Sequence, residues 1–328
     1  MNSICFDLEG PLSPQDNAYE LMKLFPNGGE IFEIISRYDD LLTLEDRPDY
    51  EPGDTLALIA PFLVHHGINE ADIATLARKA TLTNGAARLI SRLSIQGWKI
   101  FCISTSYEQY AMRITQRLGI FSQNVASTSF PIDEISQTLC KDNSYCLEKI
   151  ERDILNTSSI DDDWIKRNLD QFYREELPKT NFGLLLNQVK PVGGQRKVEA
   201  LERFAQGQHE PLSDWIVIGD SITDLKMLQA VEQAGGLAIA FNANEYALPY
   251  STMSLASTHL DDLLPVLEAW RQRKRTGVEK LIKAKERSGG NGDRGYFHWI
   301  AGIENISVPL EIHKRIRLVA REEAAKLG

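Results

Sequence analysis

The sequence predicts an α/β fold: a parallel sheet with helices on both faces, an inserted helical cap and a helical C-terminal tail. Three observations carry that expectation. Short apolar runs alternate with amphipathic helical patterns, the signature of strand-helix-strand units. The runs end in polar residues, Asp7, Ser104, Asp220 and Asn242, and reactive groups in open parallel sheets collect outside the carboxyl ends of the strands. The spacing between runs is also uneven, which leaves long helical stretches that no simple crossover needs.

The first strand is read at Ser3 to Asp7, and Gly10-Pro11 turns the chain sharply after it. The long interval that follows reads as helices near Asn17 to Phe25, Gly29 to Leu42, Thr55 to His66 and Glu70 to Ala80, with Gly85 to Gln96 returning to the sheet. Strands are expected at Lys99 to Ser104 and Asn124 to Ser127. A second interval, about 133–190, carries Asp161-Asp162-Asp163 as a helix start and Trp164 to Leu177 as its body. Strands Trp215 to Asp220 and Gly236 to Asn242 then enclose a helix at Leu225 to Gln233. From Glu268 the composition shifts: Trp270 to Arg275 open a basic helix, broken by Ser288-Gly289-Gly290-Asn291-Gly292. The domain reading is a core of 1–12 and 83–267 with a helical insertion at 133–190, a cap of 13–82 and a tail of 268–328. The basic run reads as a solvated helix face, with docking to an acidic or phosphate-bearing surface as the lesser reading.

A chain of 328 residues with 43% apolar content can bury a sizeable core. Its formal charge of -10 argues against general nucleic-acid binding. No run approaches the roughly 18 apolar residues that span a bilayer, and no charged and apolar leader precedes the first strand, so no membrane insertion and a cytoplasmic location are expected. Of the four cysteines, Cys5 and Cys102 lie inside apolar strands and read as small buried hydrophobes. Cys140 and Cys146 match no common zinc spacing and read as structural.

Asp7 and Glu9 place two carboxylates at the first strand end, and residues two apart on a strand point to the same side. Asp220, with Asp224 four residues on, repeats the arrangement at a later strand end. A carboxylate that attacks a phosphoryl group needs a cation to neutralise charge, a donor for the phosphate oxygens and an acid for the leaving group. Asp7 and Asp220 are hard oxygen donors suited to magnesium. Ser104 opens a helix start that favours anions, and Lys197, following Gly193-Gly194, supplies positive charge. A lone Asp at a strand end is usually a turn former or helix cap; the ordered set of acids, hydroxyl and lysine is what points to catalysis.

In that order, these stretches resemble the haloacid dehalogenase-like hydrolase superfamily, including Gly219-Asp220-Ser221-Ile222-Thr223-Asp224; Thr105-Ser106-Tyr107 and Ala240-Phe241-Asn242-Ala243 are most similar to its phosphoserine phosphatase-like branch. The resemblance implies a Rossmann-like sheet and a magnesium-dependent phosphatase acting on a small phosphorylated metabolite. Asp7 would be the phosphorylated nucleophile, Glu9 the general acid/base, and Asp7, Asp220 and the Glu9 carbonyl the Mg2+ ligands. Ser104 would hold a phosphate oxygen, Lys197 would balance charge, and Asp224 would position the lysine or a metal-bound water. The chain departs from the family in carrying Glu9 where Asp is usual and Pro11 where Thr or Val is usual, and Lys190 competes with Lys197 for the lysine role.

Substrate contacts are expected from the cap, which supplies specificity and excludes water. Asp16 and Glu20 lie where related enzymes place an acid that reads a substrate amine, Arg37 or Arg47 could read a carboxylate, and Thr105 and Asn242 flank the site. The leading expectation is hydrolysis of a small phosphomonoester through an aspartyl-phosphate, or transfer of that phosphoryl group to an alcohol. The alternative is a non-catalytic accessory or regulatory subunit, and a homodimer or a larger complex through the C-terminal tail is the partner expectation.

Overall fold

The computed structural model describes residues 2–45, 47, 50–139, 144–157, 160–287 and 295–321. Cys140, the Ser288 to Gly292 break and the end of the tail lie outside the described residues. Seven strands, β1 (Ser3–Asp7), β2 (Lys99–Tyr107), β3 (Val125–Thr128), β4 (Trp215–Gly219), β5 (Leu237–Phe241), β6 (Met253–Ala256) and β7 (Tyr296–Trp299), form one sheet in the order β3-β2-β1-β4-β5-β6-β7. All pairings are parallel except β6 with β7. The order runs outward from β1 through β2 to β3, then resumes on the other side of β1 with β4, so the switch point lies between β1 and β4.

Both faces of the sheet are buried, and the two-residue period sorts side chains between them. Ile4, Phe6, Ile216, Ile218 and Ile239 join the larger apolar cluster, whereas Cys5, Phe101, Val217 and Ala240 join a second cluster. That second cluster includes Val198, Leu201 and Ala205 of the helix Gln195–Gln208. Asp7 has the same parity as Cys5, so it ends β1 on the side where this helix brings Lys197.

The two long helical segments pack on each other. Helices Asn17–Met22, Gly28–Leu44, Thr55–His65 and Glu70–Lys79 follow β1. Local chemistry sets two of these starts: Asp16 accepts from Tyr19 N, and Asn69 and Asp72 form a reciprocal capping box. The 133–190 segment forms helices including Tyr145–Asn156 and Asp162–Gln171, the latter capped by Asp161. It packs on the first insertion: Tyr173 stacks on Tyr38 at 5.7 Å and donates to Leu58 O, and Tyr38 donates to Asp170. The segment expected as an insertion of the core thus lies against the cap helix Gly28–Leu44.

The expected helical tail is more than an appendage. Its first helix, Leu264–Arg287, is interrupted by non-helical backbone at Arg273 and Lys274. The basic run binds its own chain: Arg275 pairs with Glu232 and Lys274 with Asp214. β7 then extends the sheet antiparallel to β6, and the helix Ser307–Arg321 packs beside β6. The expectation of purely helical structure after Glu268 missed this strand, because an edge strand of only Tyr296–Trp299 leaves too short an alternation to read.

Candidate active site

The carboxyl ends of β1 and β4 open into a cavity of about 130 Å³ lined by Asp7, Glu9, Asp16, Thr105, Asp220 and Arg317, among others. β1 and β4 run in register, Phe6 beside Ile218, so the segments carrying Asp7 and Asp220 leave the sheet side by side. Gly10, at φ +97°, lets the chain turn away there; a Cβ on it would fall 2.3 Å from Asp220 Oδ1. Gly10 N donates to Ser13 O at 2.7 Å and Ser13 N to Leu8 O at 2.8 Å, so the turn is held by backbone bonds that Pro11 does not interrupt.

Lys197 settles between two acids. Its Nζ lies 2.9 Å from Asp7 Oδ1 and 2.7 Å from Asp224 Oδ1, and it is fully buried. Asp224 Oδ2 accepts from Asp220 N at 2.9 Å and Ser221 N at 3.2 Å, which fixes the loop after β4. Leu8 N donates to Asp7 Oδ1. Burial works against the Lys197 charge, but Asp224 and Asp7 outweigh it and hold the ammonium above its ordinary range. Asp7 is pushed the other way: burial, with repulsion from Asp224 and Asp220, raises its carboxyl well above the usual range, and Lys197 offsets this only in part. Lys190, the competing lysine, is exposed.

Asp7, Asp220 and Asp224 offer carboxylate oxygens within 4.8 Å of one another. A further cation would relieve the repulsion that raises Asp7, and the hard-oxygen donor set suits magnesium; the residues therefore fit a divalent ion. Glu9 lines the cavity and accepts from Asn17 N at 2.6 Å, anchoring it to the start of the first cap helix.

The expected hydroxyl contributions divide. Ser104 is fully buried and its Oγ accepts from Ser106 N, whereas Thr105 lines the cavity and donates to Val192 O. Asp16 lines the cavity; Glu20 pairs with Lys23 outside it. The structure does not bring Arg37 and Arg47 to the cavity: Arg37 forms a two-pronged pair with Asp162, and Arg47 does the same with Asp170. Asn242 is locked by reciprocal bonds with Ser257, its Nδ2 donating to Ser257 O and its Oδ1 accepting from Ser257 N.

Sequence reasoning missed two groups. Asp39 and Asp40 of the cap line the cavity, and burial pushes the Asp39 carboxyl up to about 7 although Tyr50 donates to it. Arg317, from the helix Ser307–Arg321, is buried and donates to Asp220 Oδ2, to Asp220 O at 3.4 Å and to Asn242 O at 3.1 Å. One turn earlier, His313 Nδ1 accepts from Ala243 N, and burial, with His298 and Arg317 nearby, lowers its pKa to about 3, so the ring is neutral. The signal for this helix was a pair of polar residues four apart, which on a helix share one face.

No protein-family model and no curated protein sequence matches the chain. Among solved structures, gene product AF1437 from Archaeoglobus fulgidus matches with a TM-score of 0.83 at 28% identity, covering 100% of this chain and 99% of that one. A phosphoserine phosphatase in apo form matches with a TM-score of 0.52 at 16% identity, over 80% of this chain and 97% of that one. A phospho-aspartyl intermediate analogue of phosphoserine phosphatase gives 0.52 at 17% identity, with the same coverage. The chain shares the fold of these phosphoserine phosphatase structures.

Proposed function

We propose that this protein is a magnesium-dependent phosphatase that hydrolyses a small phosphomonoester through an aspartyl-phosphate on Asp7. The observation that carries the reading is Lys197, buried between Asp7 and Asp224 beside the Asp220 carboxylate. That ammonium offsets part of the burial that raises the Asp7 carboxyl and holds the attacking oxygen at the end of β1. When bound, a divalent cation held by Asp7, Asp220 and the Glu9 carbonyl would neutralise phosphate charge.

The Asp7 carboxylate attacks phosphorus; the bond from phosphorus to the substrate oxygen breaks, and the leaving alkoxide takes a proton from Glu9. A water then attacks the aspartyl-phosphate, gives its proton back to Glu9 and releases inorganic phosphate and free Asp7. Thr105, Ser221 and Thr223 line the cavity and offer it hydroxyl groups. A cavity of about 130 Å³ suits a phosphate with a short substituent, well below the several hundred Å³ of drug-sized pockets. The same first half-reaction serves transfer to an alcohol, and the small cavity favours water as acceptor.

The Arg317 contact with Asp220 favours the alternative of a non-catalytic subunit, because it places a guanidinium on an expected cation ligand. The experiment gives purified protein magnesium and a panel of small phosphomonoesters, with Asp7→Asn as control. Release of phosphate by the wild type alone supports the phosphatase; equal release by both proteins removes Asp7 from the mechanism, and none by either favours the subunit.

A further inference from the structure

We propose that Arg317 is a positioning residue that acts as a resident counter-ion of Asp220 and sets how tightly the acidic centre takes up a divalent cation. This rests on the cation-dependent reading above. The contact is built into the fold. Asn242 holds a left-handed backbone, φ +49°, fixed by its two bonds to Ser257, and its carbonyl accepts from Arg317. His313, one turn before, caps Ala243 N in the same loop, while Ile306 and Leu310 pack on the apolar cluster that includes Ala243. The helix Ser307–Arg321 is thereby clamped at two polar points and one apolar patch, with its guanidinium delivered to Asp220.

The electrostatic consequence has a definite sign. Asp220 and Arg317 are both buried, 1% and 5% exposed, so solvent screens their pairing little. A divalent cation at Asp7 and Asp220 would meet a fixed positive charge across one carboxylate. That charge weakens uptake of the ion and compensates Asp220 when no ion is there. Occupancy of the centre and docking of the C-terminal helix then oppose each other, linking the last described helix to the floor of the cavity.

The test measures Mn2+ binding to the whole protein by electron paramagnetic resonance of the free ion, for wild type, Arg317→Met, Arg317→Lys and Asp220→Asn, with circular dichroism to confirm folding. Arg317→Met is expected to bind Mn2+ about ten-fold or more tightly than wild type, Arg317→Lys to return to the wild-type affinity, and Asp220→Asn to bind weakly. A merely structural arginine would give weaker binding on removal. Wild-type binding with an unchanged or weaker Arg317→Met overturns this inference and leaves the cation-dependent reading standing; absence of binding in both overturns the two together. Should Arg317→Met fail to fold, amide exchange of residues 307–321 in wild type decides: faster exchange with Mn2+ supports the opposition, and unchanged or slower exchange overturns it.

Discussion

The floor and the roof of the cavity treat their acids in opposite ways. On the floor, each buried carboxylate meets a buried cation: Asp7 and Asp224 share Lys197, and Asp220 takes Arg317. On the roof, Asp39 meets the neutral hydroxyl of Tyr50, and Asp40 lies 3.8 Å from an Arg37 that is turned outward to Asp162. Floor charges are thus met by full counter-charges, an arrangement that suits the ionic chemistry proposed above. On the roof, burial dominates Asp39 and pushes its carboxyl up to about 7. Protonation of Asp39 can therefore vary with pH near neutrality.

The largest expected effect tests the floor. Lys197→Met leaves Asp7 and Asp224 buried without their shared cation, and breaking a buried pair this way costs about 3–5 kcal/mol. Denaturant unfolding should show that loss, and phosphate release should fall on the order of 10²–10³-fold. A stable, active Lys197→Met would break the comparison, since the floor would then not depend on its counter-charge.

The roof is tested by pH. Asp39 has a folded pKa, about 7, above its ordinary carboxyl value of 3.8, so the folded state holds a proton that the unfolded chain has released. Its stabilising contribution is full below about pH 4 and is lost as pH rises through about 7, amounting to roughly 2–4 kcal/mol. Asp39→Asn keeps an acceptor for Tyr50 and removes that slope. Thermal melts of the two proteins should converge near pH 4 and diverge towards pH 8, with the variant more stable; parallel curves would mean that Asp39 is ionised throughout.

The floor was also the more legible half. Strand ends announce themselves through apolar runs that stop at Asp7 and Asp220, and Lys197 follows a glycine pair on the helix that packs on the Asp7 face of the sheet. The cap was legible as helices, but its partners were not: the pairings of Tyr38 with Asp170 and Arg37 with Asp162 join segments distant in sequence, and no local period encodes them. Arg317 escaped for a different reason. Its helix buries His313 and Arg317 while Val308, Leu318 and Val319 stay exposed, so the hydrophobic period marks the wrong face. The basic run at Trp270 to Arg275 read as solvated for the same lack of context: the acids that receive it, Asp214 and Glu232, lie on other elements.

The smallest effects sharpen the boundary between roof and outer surface. Arg37 and Arg47 were expected to read a substrate carboxylate, yet both guanidinia are spent on Asp162 and Asp170 of the second insertion. Arg37 is 43% exposed, so Arg37→Ala should cost about 0–1 kcal/mol. Arg47 is more enclosed and shares Asp170 with the Tyr38 hydroxyl, so its removal leaves a half-buried acid without its main cation. Arg47→Ala should therefore destabilise more, by about 1–2 kcal/mol, through the joint between the two insertions. Neither variant should change kcat/KM for a small phosphomonoester by more than about two-fold, a shift of ~0.4 kcal/mol in transition-state stabilisation. A raised KM with kcat unchanged in Arg37→Ala would instead put that guanidinium on the substrate.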